Sequence, residues 1–156
     1  MRVLSILYET GADGPGLRNS IYVAGCSHTC PGCHNPGSWN FDAGTDIADD
    51  VLYNKVCSRN ITITGGDPMY QPEALCSFLK YIKSRNKNCN VWVYTGFVIE
   101  ELNESQAACL PYIDVLVDGP YVQSLNERTT HIHTKWAGSS NQRIIKNPAK
   151  FYASLN

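Results

Sequence analysis

The sequence has no block of basic residues, no apolar run long enough to cross a bilayer, and no fourth cysteine near its single cysteine cluster. Thirteen Lys and Arg against fourteen Asp and Glu leave a net charge of -1, which speaks against a nucleic-acid-binding tail and a polybasic membrane patch. Nothing approaches the ~20 apolar residues of a membrane helix, and "MRVLSILYE" offers only a short apolar run with no small-residue cleavage site. A soluble, cytoplasmic protein is expected, with neither nucleic acid nor membrane as partner. Internal repeats, low-complexity tracts and interdomain linkers are also missing. A chain of 156 residues, 43% hydrophobic, is then expected to fold as one domain over 1–156.

The seven cysteines are an odd count and do not form the even, spread framework of a small secreted disulfide scaffold. Cys57, Cys76, Cys89 and Cys109 lie scattered in segments that read as core or its edges, and are expected to be packing thiols. The other three crowd into "CSHTCPGC", which leaves metal binding or redox chemistry as the reading of that stretch.

Five short segments rich in Val, Ile and Tyr recur: "SIYVAG" (20–25), "NITITGG" (60–66), "NVWVYTG" (90–96), "IDVLVDG" (113–119) and "QRIIK" (142–146). Between them, "PEALCSFLKYIKSRN" spaces Leu75, Phe78, Leu79 and Ile82 as one helical face behind Pro72. Segments 46–58 and 98–110 are also expected to be helical, with acidic residues early in each, where the helix dipole favours them. Strands alternating with helices predict an α/β fold of about five mostly parallel strands. That is too few to close an eight-stranded barrel, so a partial, TIM-like barrel or an open curved sheet is expected, with ligands at the carboxyl ends of the strands. "AGC", "TGGDP", "YTG" and "VDGP" all fall there, so four glycine-bearing ends are expected to face one site. Two stretches lie outside this alternation: "LYETGADGPGLRN" and the segment 120–141, which is long for a routine connection.

Cys26, Cys30 and Cys33, spaced CxxxCxxC, can wrap one metal centre, and thiolates select zinc or iron with sulfur. Structural zinc would want a fourth ligand; His34 directly follows a ligating residue and is poorly placed, leaving a distant one such as His28, Cys57 or His131. A cubane held by three cysteines would instead keep one iron open to substrate. Spacing alone leaves both readings standing. Gly65 and Gly66 suit a tight strand-to-helix turn, or bare the backbone for a small polar ligand, while Asp67 suits a helix cap equally well. Tyr94, Thr95 and Gly96 offer an aromatic face, a hydroxyl and close backbone approach, and Asp118 at the next strand end also suits a turn.

Taken together, "DGPGLRNSIYVAGCSHTCPGCHNPGSW" followed by "TGGDP" resembles the radical S-adenosylmethionine (SAM) enzymes, specifically the glycyl-radical activating enzymes, whose motif continues into His34, Asn35 and Trp39. The small size, the proline of "CPGCHNP" and the late "GSSNQRII" (138–145) are similar to the branch that acts on anaerobic ribonucleotide reductase. The resemblance implies a radical SAM domain whose cluster-binding loop spans 26–45, with Cys26, Cys30 and Cys33 holding a 4Fe-4S cluster that carries the catalysis. It implies SAM as cosubstrate, with Gly65, Gly66 and Asp67 at its methionyl amino group and Gly32, Cys33 and His34 against its adenosyl part. Tyr94, Thr95 and Asp118 would lie at further SAM contacts. Tyr94 departs from the aspartate of larger relatives, and "DGPY" lacks their lysine near Asp118.

The implied activity is that of an oxidoreductase that generates a glycyl radical on the large subunit of an anaerobic, class III ribonucleotide reductase, charged by an external electron donor such as a flavodoxin-like protein. Segment 120–141 is expected to shape the entrance for that partner, with Arg128, His131, His133 and Trp136 as contacts. Two other readings stand beside this one. A small-molecule radical SAM enzyme of the deazapurine-forming type shares the cluster and the size range, and a zinc-binding interaction module would leave "DGPG", "CHNP" and "TGGDP" unexplained.

Overall fold

In the computed structural model, which describes residues 1–126 and 136–155, one seven-stranded sheet carries the helices. Its strands are β1 (Arg2–Thr10), β2 (Arg18–Val23), β3 (Thr45–Asp46), β4 (Asn60–Gly65), β5 (Val91–Tyr94), β6 (Val115–Asp118) and β7 (Arg143–Lys146), in the spatial order β3-β1-β2-β4-β5-β6-β7. The sheet is open, with β3 and β7 as its edges. The expected α/β class holds, whereas the sheet is mixed. Strands β2, β4, β5 and β6 run parallel, while β7, expected to continue that series, pairs antiparallel with β6. The reason is its approach: Gln142 and Asn141 bond back to the carbonyls of Gly119 and Pro120, so the chain re-enters at the end where β6 stops and must run down it.

The first strand has no counterpart among the five sequence segments. Its antiparallel pairing with β2 slips between Val3 and Ser5 and again between Leu7 and Thr10, and each irregularity breaks the two-residue alternation that marks a strand. Leu7 and Tyr8 stand exposed as a result. The helix expected over 46–58 forms as α1 (Asp49–Val56), its first residues going instead to β3. Helix α2 (Pro72–Arg85) matches its expected span and face, with Leu75, Phe78, Leu79 and Ile82 fully buried.

The helix expected over 98–110 is not continuous. It breaks into single turns at Ile99–Glu101, Glu104–Ala107 and Leu110–Tyr112. Asn103 is the cause. Its side chain accepts from the Gln106 amide while the Gln106 side chain accepts from the Asn103 amide, a reciprocal cap that starts a new helix in mid-segment. A last helix, Pro148–Ala153, follows β7.

One face of the parallel strands is apolar and packs on the helices; the other is apolar at β5 and β6 but polar where β2 and β4 present Arg18, Ser20, Thr62 and Thr64. Ile21, Val23, Ile61, Ile63, Val91, Val93 and Leu116 join the α1 and α2 side chains in the main core. A smaller cluster of Trp92, Val115 and Val117 packs with Tyr94, Trp136 and Ile144. Beneath them Arg18, fully buried, gives its guanidinium to Thr62 Oγ1, the Ile61 carbonyl and both oxygens of Asn90, and lies 5.5 Å from the Trp92 ring centroid. One side chain thereby ties the amino ends of β2, β4 and β5.

Candidate cluster-binding site

At the opposite ends of these strands lies a cavity of about 170 Å³, and each parallel strand contributes to its wall: Cys26 after β2, Gly66 and Asp67 after β4, Thr95 and Gly96 after β5, and Gly119 after β6. The convergence expected of four glycine-bearing ends is present. Cys26, Cys30 and Cys33 all line this one cavity and are partly exposed.

The cysteine loop is held by backbone. Gly25 donates to the Ser38 carbonyl at 2.8 Å, Cys26 to that of Trp39 at 3.3 Å, and Cys33 to that of Cys30 at 3.1 Å. Asp67 N–H in turn bonds the Gly25 carbonyl at 2.9 Å, which seals the loop against the β4 turn. This contact demands glycine at position 66, where a Cβ would stand 2.5 Å from the Gly25 oxygen.

Two sulfurs meet backbone donors. The Asn35 amide points at Cys33 Sγ from 3.4 Å, and the His28 amide faces the Cys26 thiol. Burial pushes the Cys26 thiol up to about 11, against which the His28 amide works by favouring the thiolate. Among the described residues no three His, Cys, Asp or Glu side chains converge on a point that one ion would occupy. Structural zinc would require such convergence. A cubane spreads its thiolates over separate irons, so three thiols around a shared space, with amides aimed at their sulfurs, fit that group.

Asp67 is buried and its carboxylate is fully engaged. Oδ1 accepts from the Met69 amide at 2.9 Å; Oδ2 accepts from Thr95 Oγ1 at 2.9 Å, the Gly96 amide at 2.8 Å and His28 Nε2 at 2.8 Å. It caps the turn Pro68–Tyr70 and also joins β4, β5 and the cysteine loop. Asp118 is likewise buried and turned away from the cavity. It accepts from the Ile99 amide at 2.9 Å and from two nitrogens of Arg143, which also forks onto Glu100 at 2.7 and 2.8 Å.

A family model described as "4Fe-4S single cluster domain" matches residues 12–145. The chain is 36% identical over 143 residues to the anaerobic ribonucleoside-triphosphate reductase-activating protein of Haemophilus influenzae, covering 85% of this chain and 89% of the relative. It is 36% identical to the protein of that name from Escherichia coli strain K12, over 85% and 90% of the two chains. With the Enterobacteria phage T4 counterpart it shares 32% identity over 86% and 87%. The chain belongs to the anaerobic ribonucleoside-triphosphate reductase-activating protein family.

Within this member of the activating-protein family, the residues singled out from the sequence divide by position. Cys26, Cys30, Cys33, His34, Gly66, Asp67, Tyr94 and Thr95 line the cavity; Gly32, Gly65 and Asp118 are not part of its lining, Asp118 being buried and Gly32 exposed. Tyr94 donates its hydroxyl to the Trp136 carbonyl at 2.8 Å, and burial, with Asp13 nearby, pushes its phenol up, so it stays a neutral donor. Arg128, His131 and His133 lie outside the described residues. Trp136 is described and turns inward, its indole N–H on the Gly11 carbonyl and its ring edge-on to Trp92.

Several wall residues escaped the sequence reading as site residues. Tyr121 packs against His34 with centroids 4.7 Å apart, and Gln142 bridges the Gly138 amide and the Gly119 carbonyl, folding "GSSNQ" onto "GPY" as the far wall. The motif "GSSNQRII" drew attention as a family mark, but nothing in its spacing names Gly119 as its partner. No helix of the described residues is long and apolar enough to cross a membrane.

Proposed function

We propose that this protein activates an anaerobic ribonucleotide reductase by installing a glycyl radical on the large subunit, using SAM and a 4Fe-4S cluster held by Cys26, Cys30 and Cys33. The observation that carries the reading is the junction of three thiols with four strand ends around one cavity, in a chain of the activating-protein family. When bound by Cys26, Cys30 and Cys33, the cluster would supply the electron for reductive cleavage of SAM, the chemistry by which a hydrogen atom would be taken from the partner's glycine.

The protein's own part is placement, water exclusion and tuning. Cys26, Cys30 and Cys33 would hold the cluster while leaving it open to the amino and carboxylate groups of SAM, and the Asn35 amide would soften charge at the Cys33 sulfur. Gly66 brings backbone to the methionyl end, while the Asp67 carboxylate, fully committed to protein donors, acts there by holding that backbone in place. Gly32, Cys33 and His34 flank the adenosyl part, where the His34 and Tyr121 rings form one side. Tyr94 and Thr95 close the floor. Asp118 and Gly65 support the wall from behind, Asp118 through Arg143. The open sheet suits a substrate that is itself a protein segment, and 120–141 is placed in this reading at its entrance. An external donor, flavodoxin-like in kind, supplies the electron.

The test is anaerobic reconstitution with iron and sulfide, reduction, and addition of SAM. A reduced-cluster EPR signal that changes with SAM, and 5'-deoxyadenosine as product, are expected. A colourless protein holding one zinc per chain would overturn the reading. Addition of the reductase should then yield a glycyl-radical signal; 5'-deoxyadenosine without one would favour a small-molecule substrate.

A further inference from the structure

The middle of the cysteine motif carries a side chain that the chemistry above leaves unused. His28 sits between Cys26 and Cys30, yet its ring turns inward and is mostly buried. Its Nε2 lies 2.8 Å from Asp67 Oδ2, and its ring packs against Phe97 at 4.6 Å and Tyr70 at 5.3 Å between centroids. Gly96 makes room for it: a Cβ there would stand 2.5 Å from the imidazole. An ionised carboxylate only accepts, so Nε2 carries the proton and donates it. The socket is thus built from the ends of both β4 and β5.

We propose that His28 is a positioning residue for the cluster: its side chain pins the loop between Cys26 and Cys30 into the Asp67–Gly96 socket and so fixes where those two sulfurs stand. This rests on the cluster assignment above. The potential of a cluster is set in part by the hydrogen bonds its sulfurs receive and by their exposure to solvent. An unpinned loop changes both. Partners outside the ligand set usually matter about 10- to 100-fold for metal affinity, and this one lies midway in the chain between two of the proposed ligands.

The experiment compares wild type, His28→Ala and His28→Gln after anaerobic reconstitution, reading iron content, the EPR spectrum of the reduced cluster and its midpoint potential. His28→Ala is expected to bind the cluster about 10- to 100-fold more weakly, at a shifted potential and with a broadened spectrum. His28→Gln, which still offers an N–H to Asp67, is expected to restore much of both. Wild-type potential and spectrum in a fully loaded His28→Ala protein would overturn the inference. Failure of wild type itself to take up iron would overturn the cluster assignment instead.

Should His28→Ala fail to fold, two further readouts decide. In the iron-free wild-type chain with 15N-labelled histidine, His28 should show a protonated, slowly exchanging Nε2; an unprotonated Nε2 would refute the pin. Gly96→Ala, which displaces the ring while keeping His28, should shift the potential in the same direction as His28→Ala.

Discussion

At the scale of single residues, the site is decided by groups with one job each. Cys30, proposed as a cluster ligand, is partly exposed and contributes little packing. Cys30→Ala is therefore expected to retain the fold, read by circular dichroism, and to lose iron, sulfide and the visible absorption of the cluster. Gly66 supplies only the lack of a side chain. Since a Cβ there would stand 2.5 Å from a backbone oxygen, which cannot swing aside, Gly66→Ala should cost about 1–3 kcal/mol in denaturant unfolding and weaken cluster uptake as well. The triplet of cysteines and the glycine pair were legible in the sequence because their chemistry is local. Asp67 was legible only as a residue worth watching. That its carboxylate binds four protein donors depends on Thr95, Gly96 and His28 arriving from elsewhere in the chain.

At the scale of elements, two polar clamps hold the strands that carry the site. Arg18 serves the amino ends of β2, β4 and β5 with four hydrogen bonds. Arg18→Met keeps the stem but strands those acceptors, and is expected to cost on the order of 3 kcal/mol, seen as a lower urea midpoint with unchanged slope. Arg143 joins β7 to Asp118 and Glu100 at the carboxyl end. Its hydrogen bonds hold the Glu100 carboxyl down at about 2, below its ordinary value of 4.5. A depressed carboxyl stabilises the fold above its unfolded value, and that contribution is lost as pH falls from about 4.5 toward 2. Glu100→Gln should therefore flatten the dependence of stability on pH in that window. The effect is expected to be small, because the pair is exposed and screened.

The elements also differ in how readable they were. Helix α2 declares itself by a buried face repeated over four turns and by Pro72 at its start. The segment 98–110 shows similar residues but hides a second helix start at Asn103, which only the reciprocal bond with Gln106 reveals. β1 conceals itself through its slipped register, and the direction of β7 follows from contacts with residues 119 and 120 that no local pattern encodes.

At the scale of the whole molecule, the cavity lies where the parallel strands end, so anything bound there cross-links β2, β4, β5 and β6 and favours the native state over the unfolded one. Loading the cluster is expected to raise the thermal midpoint measured under anaerobic conditions, and SAM to raise it again. Cys30→Ala should show neither step. If SAM raises the midpoint of the iron-free chain equally, its binding does not depend on the open iron.

The sequence by itself determined the α/β class, the four parallel strands with glycine at their ends, the α2 helix and the thiol cluster, since each rests on short-range periodicity or on residue types whose chemistry is self-evident. Tertiary structure decided the rest. The mixed sheet, the commitment of the Asp67 and Asp118 carboxylates to protein donors, the wall formed by Gln142 across Gly119, and the inward turn of His28 all join residues tens of positions apart. Hydrogen-bond acceptors are chosen by which donors the fold brings within 3 Å, and no local pattern of the chain states that in advance.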